Sequence, residues 1–188
     1  TNRYYRGCHY QTNCCMKEIH VCPSTLAEGY ETYSSAARKI LFDGKVVSHY
    51  IDAPSPSEDS AEAKEAIRNV GRISLSGVQP KFAVVLDIDS AYLRYAREDE
   101  RGIYILKPCP NGYHILNKEY CAANEHLTMQ IASQVYGIET AANALCFFKN
   151  DEAAYITRRF DVHSGGKYQQ EDFCGVNGIY QSTWRKRL

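Results

Sequence analysis

The order of apolar periods between residues 82 and 157 constrains the fold most. Phe82-Ala-Val-Val-Leu86, Tyr92-Leu-Arg-Tyr95 and Ile103-Tyr-Ile-Leu106 are short runs rich in β-branched and aromatic residues. Their connections are short, the last being the charged turn Arg97-Glu-Asp-Glu-Arg-Gly102. Strands joined this way can only pair antiparallel. A helical period then covers residues 123–136 and stops at Gly137, a residue suited to the left-handed position that ends helices. Leu145-Cys-Phe-Phe148 and Ala154-Tyr-Ile-Thr157 follow as a hairpin around Lys149-Asn-Asp-Glu152. Strands, one helix, then strands predict an α+β fold: an antiparallel sheet with one packed helix.

The residues before this block are less regular. Residues 1–15 have no helix or strand period and read as an irregular extension, with Met16 as the expected natural start. Residues 16–57 form a small helical or irregular N-terminal region and linker. Within it residues 34–42 are helical, with Ala36, Ala37, Ile40 and Leu41 as the apolar side and Asp43-Gly44 as the stop. Residues 46–51 have the composition of a short strand. Ala53-Pro-Ser-Pro-Ser-Glu-Asp-Ser60 is a linker that also starts a helix over about residues 58–69, with Ser57 or Ser60 as cap and Ala63, Ala66, Ile67 and Val70 on one side. Residues 58–174 make the main unit, and 175–188 read as a tail that does not match it.

Charge excludes some functions. The 22 basic residues balance 22 acidic ones, so no large positive field draws nucleic acid or an anionic membrane. No apolar run reaches the ~20 residues a membrane-spanning helix needs, and no segment reads as a signal peptide. The expectation is a cytoplasmic protein without direct nucleic-acid or membrane binding. Of eight cysteines, Cys8, Cys14, Cys15 and Cys22 crowd the start with His9 and His20. Their spacings lack the repeated pairs of a zinc site, so reduced thiols are the preferred reading and no metal site is assigned. Cys109, Cys121, Cys146 and Cys174 read as small buried hydrophobes.

Three features carry chemistry. Ser74-Leu-Ser76-Gly77 is a small-residue turn whose backbone N–H groups could approach phosphate oxygens, or simply a tight turn into a strand. Lys107 ends a strand, either reaching solvent or facing the interior. On the helix, Leu127, Met129, Ile131, Ala132, Val135 and Tyr136 span one apolar arc, opposite His126, Gln130, Ser133 and Gln134. Glu125 falls inside the apolar arc. It either complements the helix dipole or, turned toward the domain body, needs a partner, for which Lys107 is the natural candidate.

Ile73-Ser-Leu-Ser-Gly-Val-Gln-Pro-Lys81, Ile105-Leu-Lys-Pro108, Asn124-Glu-His-Leu-Thr-Met129, Gly137-Ile138, Thr157-Arg-Arg-Phe-Asp161 and Gln170-Glu-Asp-Phe-Cys174 occur in this order. Together, over residues 72–174, they resemble the HipA family, bacterial serine/threonine kinases that act as toxins of toxin–antitoxin pairs. The resemblance implies a kinase-like small lobe that binds ATP and Mg²⁺. It implies that Ser74, Ser76, Gly77 and Val78 belong to the phosphate loop, with Ser74 and Ser76 open to autophosphorylation. A phosphate there would repel those of ATP. Lys107 would hold α and β phosphates and pair with Glu125. Arg158 and Phe160 would lie in the hinge beside adenine, and Asp161 near the ribose; for Phe160 simple core packing is the alternative.

The resemblance also implies a helix-turn-helix antitoxin partner and, for the intact enzyme, an aminoacyl-tRNA synthetase substrate. The catalytic-loop aspartate and the magnesium ligands of such kinases have no counterpart here, so no catalytic residue is assigned. The sequence reading is therefore a truncated nucleotide-binding lobe, inactive alone. Its alternatives are a regulatory binding module that engages a separate kinase C-lobe or an antitoxin, or the remnant of a decayed kinase gene.

Overall fold

The computed structural model describes residues 18–59, 61–68, 80–97, 99–110, 116–163 and 165–168. Among the described residues three α-helices, α1 (Ser35–Phe42), α2 (Ala61–Arg68) and α3 (Cys121–Gln134), and a short 3-10 turn at Lys118–Tyr120 accompany seven strands. These are β1 (Phe82–Asp87), β2 (Tyr92–Tyr95), β3 (Tyr104–Lys107), β4 (Asn143–Phe147), β5 (Ala153–Arg158), β6 (Val162–His163) and β7 (Gly166–Lys167). The first five form one antiparallel sheet in the order β2-β1-β3-β5-β4, and β6 and β7 form a separate two-stranded ribbon. The α+β fold and the antiparallel sheet expected from the apolar periods are both present.

Local chemistry explains the helix ends. Ser34 caps α1 by accepting the Ala37 N–H at its hydroxyl (3.1 Å). At the other end Asp43 and Gly44 both take positive φ, and Gly44 N–H returns to the Arg38 carbonyl. Helix α3 ends with Gly137 at φ +64°, and Ile138 N–H reaches back to the Ala132 carbonyl at 2.9 Å. On α1 the buried side is Ala37, Leu41 and Phe42, whereas Ala36 and Ile40 face solvent. Phe42 takes the place expected for Ile40 because its ring stacks between Tyr33 and Tyr104. Ala63 of α2 is buried, while Ser60 and the side chains of Ala66, Ile67 and Val70 lie outside the described residues.

One core spans both sides of the linker. Cys22, Tyr33, Ala37, Leu41, Phe42, Val47, Ile51 and Ala53 pack with Val84, Leu93, Tyr104, Leu106, Ala144, Cys146, Phe148, Ala154 and Ile156. The strand residues in that cluster alternate, as one face of a pleated sheet must. Residues 48–52 do not join the sheet as a regular strand. They bridge its two edges instead. On β2, Ser48 N–H bonds to Ala91 and Asp52 N–H to Leu93; on β4, Ile51 N–H bonds to Phe147, and Phe147 N–H to His49. The sheet is therefore curled around its core. Its other face receives α3, which packs on β5 and β4.

Candidate functional site

The α3 face of the sheet follows from strand register. Lys107 stands opposite Tyr155, which stands opposite Leu145; one row along, Ile105, Thr157 and Asn143 are aligned in the same way. Lys107 thus emerges beneath α3. Its ammonium lies over the Tyr155 ring, 5.2 Å from the centroid, and donates to Glu125 Oε1. Both side chains are about four-fifths buried, at 22% and 21% exposure. A lysine over an aromatic face gains a cation–π contribution, and the carboxylate supplies the partner that a desolvated ammonium requires. Lys107 and Glu125 are therefore an ion pair between strand and helix.

Lys81, at the entry to β1, belongs to the same cluster. Burial, then the Lys107 ammonium, holds it below its ordinary value, with Glu125 opposing. Among the described residues two cations and one carboxylate thus meet in this corner. Tyr155 and Lys81 carry no role in the motif reading. Tyr155 is found only through cross-strand register, and Lys81 only once β1 and β3 are seen side by side.

Helix α3 does not bury the side its apolar pattern predicts. Its buried residues are Ala122 and His126, and Met129 and Gln130 are partly covered. Leu127, Ile131, Val135 and Tyr136 are exposed, Val135 at 70%. The sheet explains this inversion. Asn143 Oδ1 meets His126 Nδ1 at 2.8 Å and Gln130 Nε2 at 3.3 Å, while Asn143 Nδ2 donates to Ala141. This network makes Asn143 Oδ1 the acceptor, so His126 is protonated on Nδ1. Burial lowers the His126 pKa and so favours the neutral ring, and the bond to Asn143 partly offsets this. A polar helix face is buried because a polar sheet residue satisfies it, and the same rotation turns Glu125 toward Lys107.

The segment after β5 divides its roles. Arg158 makes a two-point contact with Asp43 (2.6 and 3.0 Å). Arg159 grips Asp161 in the same manner, Nε to Oδ1 at 2.9 Å and Nη2 to Oδ2 at 2.6 Å. Asp161 is only 3% exposed, whereas Phe160 between them is 74% exposed and so is not a core residue. The N–H groups of Arg158 and Arg159 are bonded to the Ala142 and Ile103 carbonyls. Ser74, Ser76, Gly77 and Val78 lie outside the described residues. Among the described residues no group of three His, Cys, Asp or Glu side chains is arranged to hold a metal ion. No described helix is long and apolar enough to cross a membrane.

Comparison with known families gives a match. Residues 73–187, more than half of the chain, match the HipA-like C-terminal domain family. The match begins at the small-residue turn and continues past Cys174, so it also takes in residues 175–187, which were expected not to match. No curated protein matches the chain. The chain belongs to the HipA-like C-terminal domain family.

Proposed function

We propose that this chain forms the nucleotide-binding part of a HipA-like serine/threonine protein kinase. The observation that carries the reading is the Lys107–Glu125 ion pair between β3 and α3, set over Tyr155 and beside Lys81. In kinases a strand lysine paired with a helix glutamate holds the α and β phosphates. Here Glu125 would fix the ammonium in place, and Lys81 would add a second positive charge toward the phosphates. Ser74, Ser76, Gly77 and Val78 would close over the phosphates, with Ser74 and Ser76 open to autophosphorylation. Phe160, exposed at the end of the sheet, would offer its ring to adenine. Asp161 would act near the ribose only through Arg159, which already engages its carboxylate. Mg²⁺ would arrive with ATP and supply phosphate charge neutralisation. An aminoacyl-tRNA synthetase substrate and a helix-turn-helix antitoxin partner belong to the same reading.

Calorimetry with Mg·ATP on the chain and on Lys107→Ala tests it. Loss of one charge-assisted contact is expected to weaken binding by about 1–3 kcal/mol. Equal binding by both proteins would remove Lys107 from the site. No binding by a folded chain would favour the second reading, a regulatory module that engages a separate kinase lobe or an antitoxin. The exposed apolar side of α3 supports that alternative, because a stripe of Leu127, Ile131, Val135 and Tyr136 suits a protein partner.

A further inference from the structure

The spacing that brings Lys107 to Glu125 also brings two thiols together. Cys109 follows Lys107 by two residues, just past the end of β3. Cys121 precedes Glu125 by four residues, one helical turn away on the same face of α3. The two thiols therefore stand at the two ends of the connection from β3 to α3. A shared anchor confirms the proximity. The Cys109 thiol donates to the Lys118 carbonyl at 3.2 Å, and the Cys121 N–H bonds to that same oxygen. Both cysteines are free and partly exposed, whereas Cys22 and Cys146 are buried.

We infer that Cys109 and Cys121 are a redox modification site, joined into a disulfide by a hydroperoxide so that the start of α3 is clamped to the end of β3. Burial pushes the Cys109 thiol up, with Glu152 adding to the effect and Cys121 among the lesser contributors. That disfavours the Cys109 thiolate, and the first attack is assigned to Cys121. Cys121 Sγ takes one peroxide oxygen as the O–O bond breaks, and the other oxygen leaves as water. The Cys109 sulfur then displaces hydroxide from the Cys121 sulfenic acid; its proton joins the hydroxide as a second water, and the S–S bond forms. Two thiols lose two electrons and two protons, and one hydrogen peroxide becomes two waters. A dithiol reverses the step.

The test treats the full chain with hydrogen peroxide, blocks remaining thiols by alkylation and maps peptides without reduction. The expected result is a linked peptide carrying Cys109 and Cys121, lost on treatment with dithiothreitol and missing in Cys121→Ser. Because mapping uses the unaltered chain, poor folding of the variant leaves the test intact. In parallel, amide exchange in α3 is expected to slow severalfold on oxidation and recover on reduction. Linkage to other cysteines, or Cys121 sulfinic acid beside free Cys109, would overturn the site. Equal linkage in urea would show that the fold does not bring the thiols together. Unchanged exchange would overturn the clamp.

Discussion

Replacing Asp161 with alanine is expected to destabilise the chain strongly, through a mechanism that a second substitution reverses. Arg159 and Asp161 are bonded at two points, and their side chains are only 9% and 4% exposed. The backbone holds both in place: Arg159 N–H bonds to Ile103, and the Asp161 carbonyl accepts Tyr168 N–H at 2.8 Å. The guanidinium left behind in Asp161→Ala has little freedom to reach water. Stranding one member of a buried pair costs about 3–5 kcal/mol, a large share of the roughly 5–15 kcal/mol that holds a domain folded. Replacing both partners removes the stranded charge. Arg159→Met with Asp161→Ala is therefore expected to recover most of the loss. Urea unfolding followed by far-ultraviolet circular dichroism reads both, provided the slope stays constant while the midpoint moves. A single-variant cost within about 1 kcal/mol, the value of an exposed pair, would refute the reasoning, as would a double variant no more stable than the single. If Asp161 serves nucleotide binding directly, Asp161→Ala instead loses ATP affinity at unchanged stability.

Gly102→Ala is expected to cost about 1–3 kcal/mol as overpacking, measured in the same assay. An added Cβ would lie 2.7 Å from Ala83 Cβ and 3.1 Å from Val84 N, and neither can rotate away. Leu127→Glu and Ile131→Lys are expected to change stability by less than about 0.5 kcal/mol, because both side chains face solvent; a core-sized loss would restore the apolar side of α3 to the interior. Burial lowers the folded pKa of His49 and, partly offset by Asn143, that of His126 from the ordinary value of 6.5. The unfolded chain therefore binds protons first. Their contribution is present above about pH 6.5 and is lost as pH falls through the lower folded values, so the urea midpoint should drop with acidification across that window.

The five-stranded sheet was legible because its strands announce themselves as short runs of β-branched and aromatic residues, and the C-terminal ends of α1 and α3 were legible through their stop residues. Ser34, Asp43-Gly44 and Gly137 mark boundaries through chemistry local to a few residues. The pairing of Lys107 with Glu125 was accessible too, since a carboxylate turned toward a domain demands a cation. The reason given for that turn was wrong, however. The apolar arc of α3 does not face the sheet. Hydrophobic pattern predicts a buried face when the surface beneath is apolar, and here Asn143 makes a polar surface that His126 and Gln130 satisfy. Such an acceptor cannot be foreseen before the register of β4 is known. Ile40 failed for a related reason: aromatic contacts with Tyr33 and Tyr104 select Phe42 for the interior.

The bridging of both sheet edges by residues 48–52 bears on how copies of this chain meet one another. Open strand edges invite a neighbouring molecule to add its own strand. Here the outer sides of β2 and β4 are both occupied, by backbone bonds to Ala91, Leu93 and Phe147. A single short segment thus guards two places at once. Local detachment of that segment would bare the β2 edge at Leu93 and the Phe147 end of β4 together, while Asn143 and Leu145 of β4 stay covered by Ser24, Pro23 and Tyr33. The species most prone to self-assembly would then be a nearly native one with residues 48–52 released, rather than the unfolded chain.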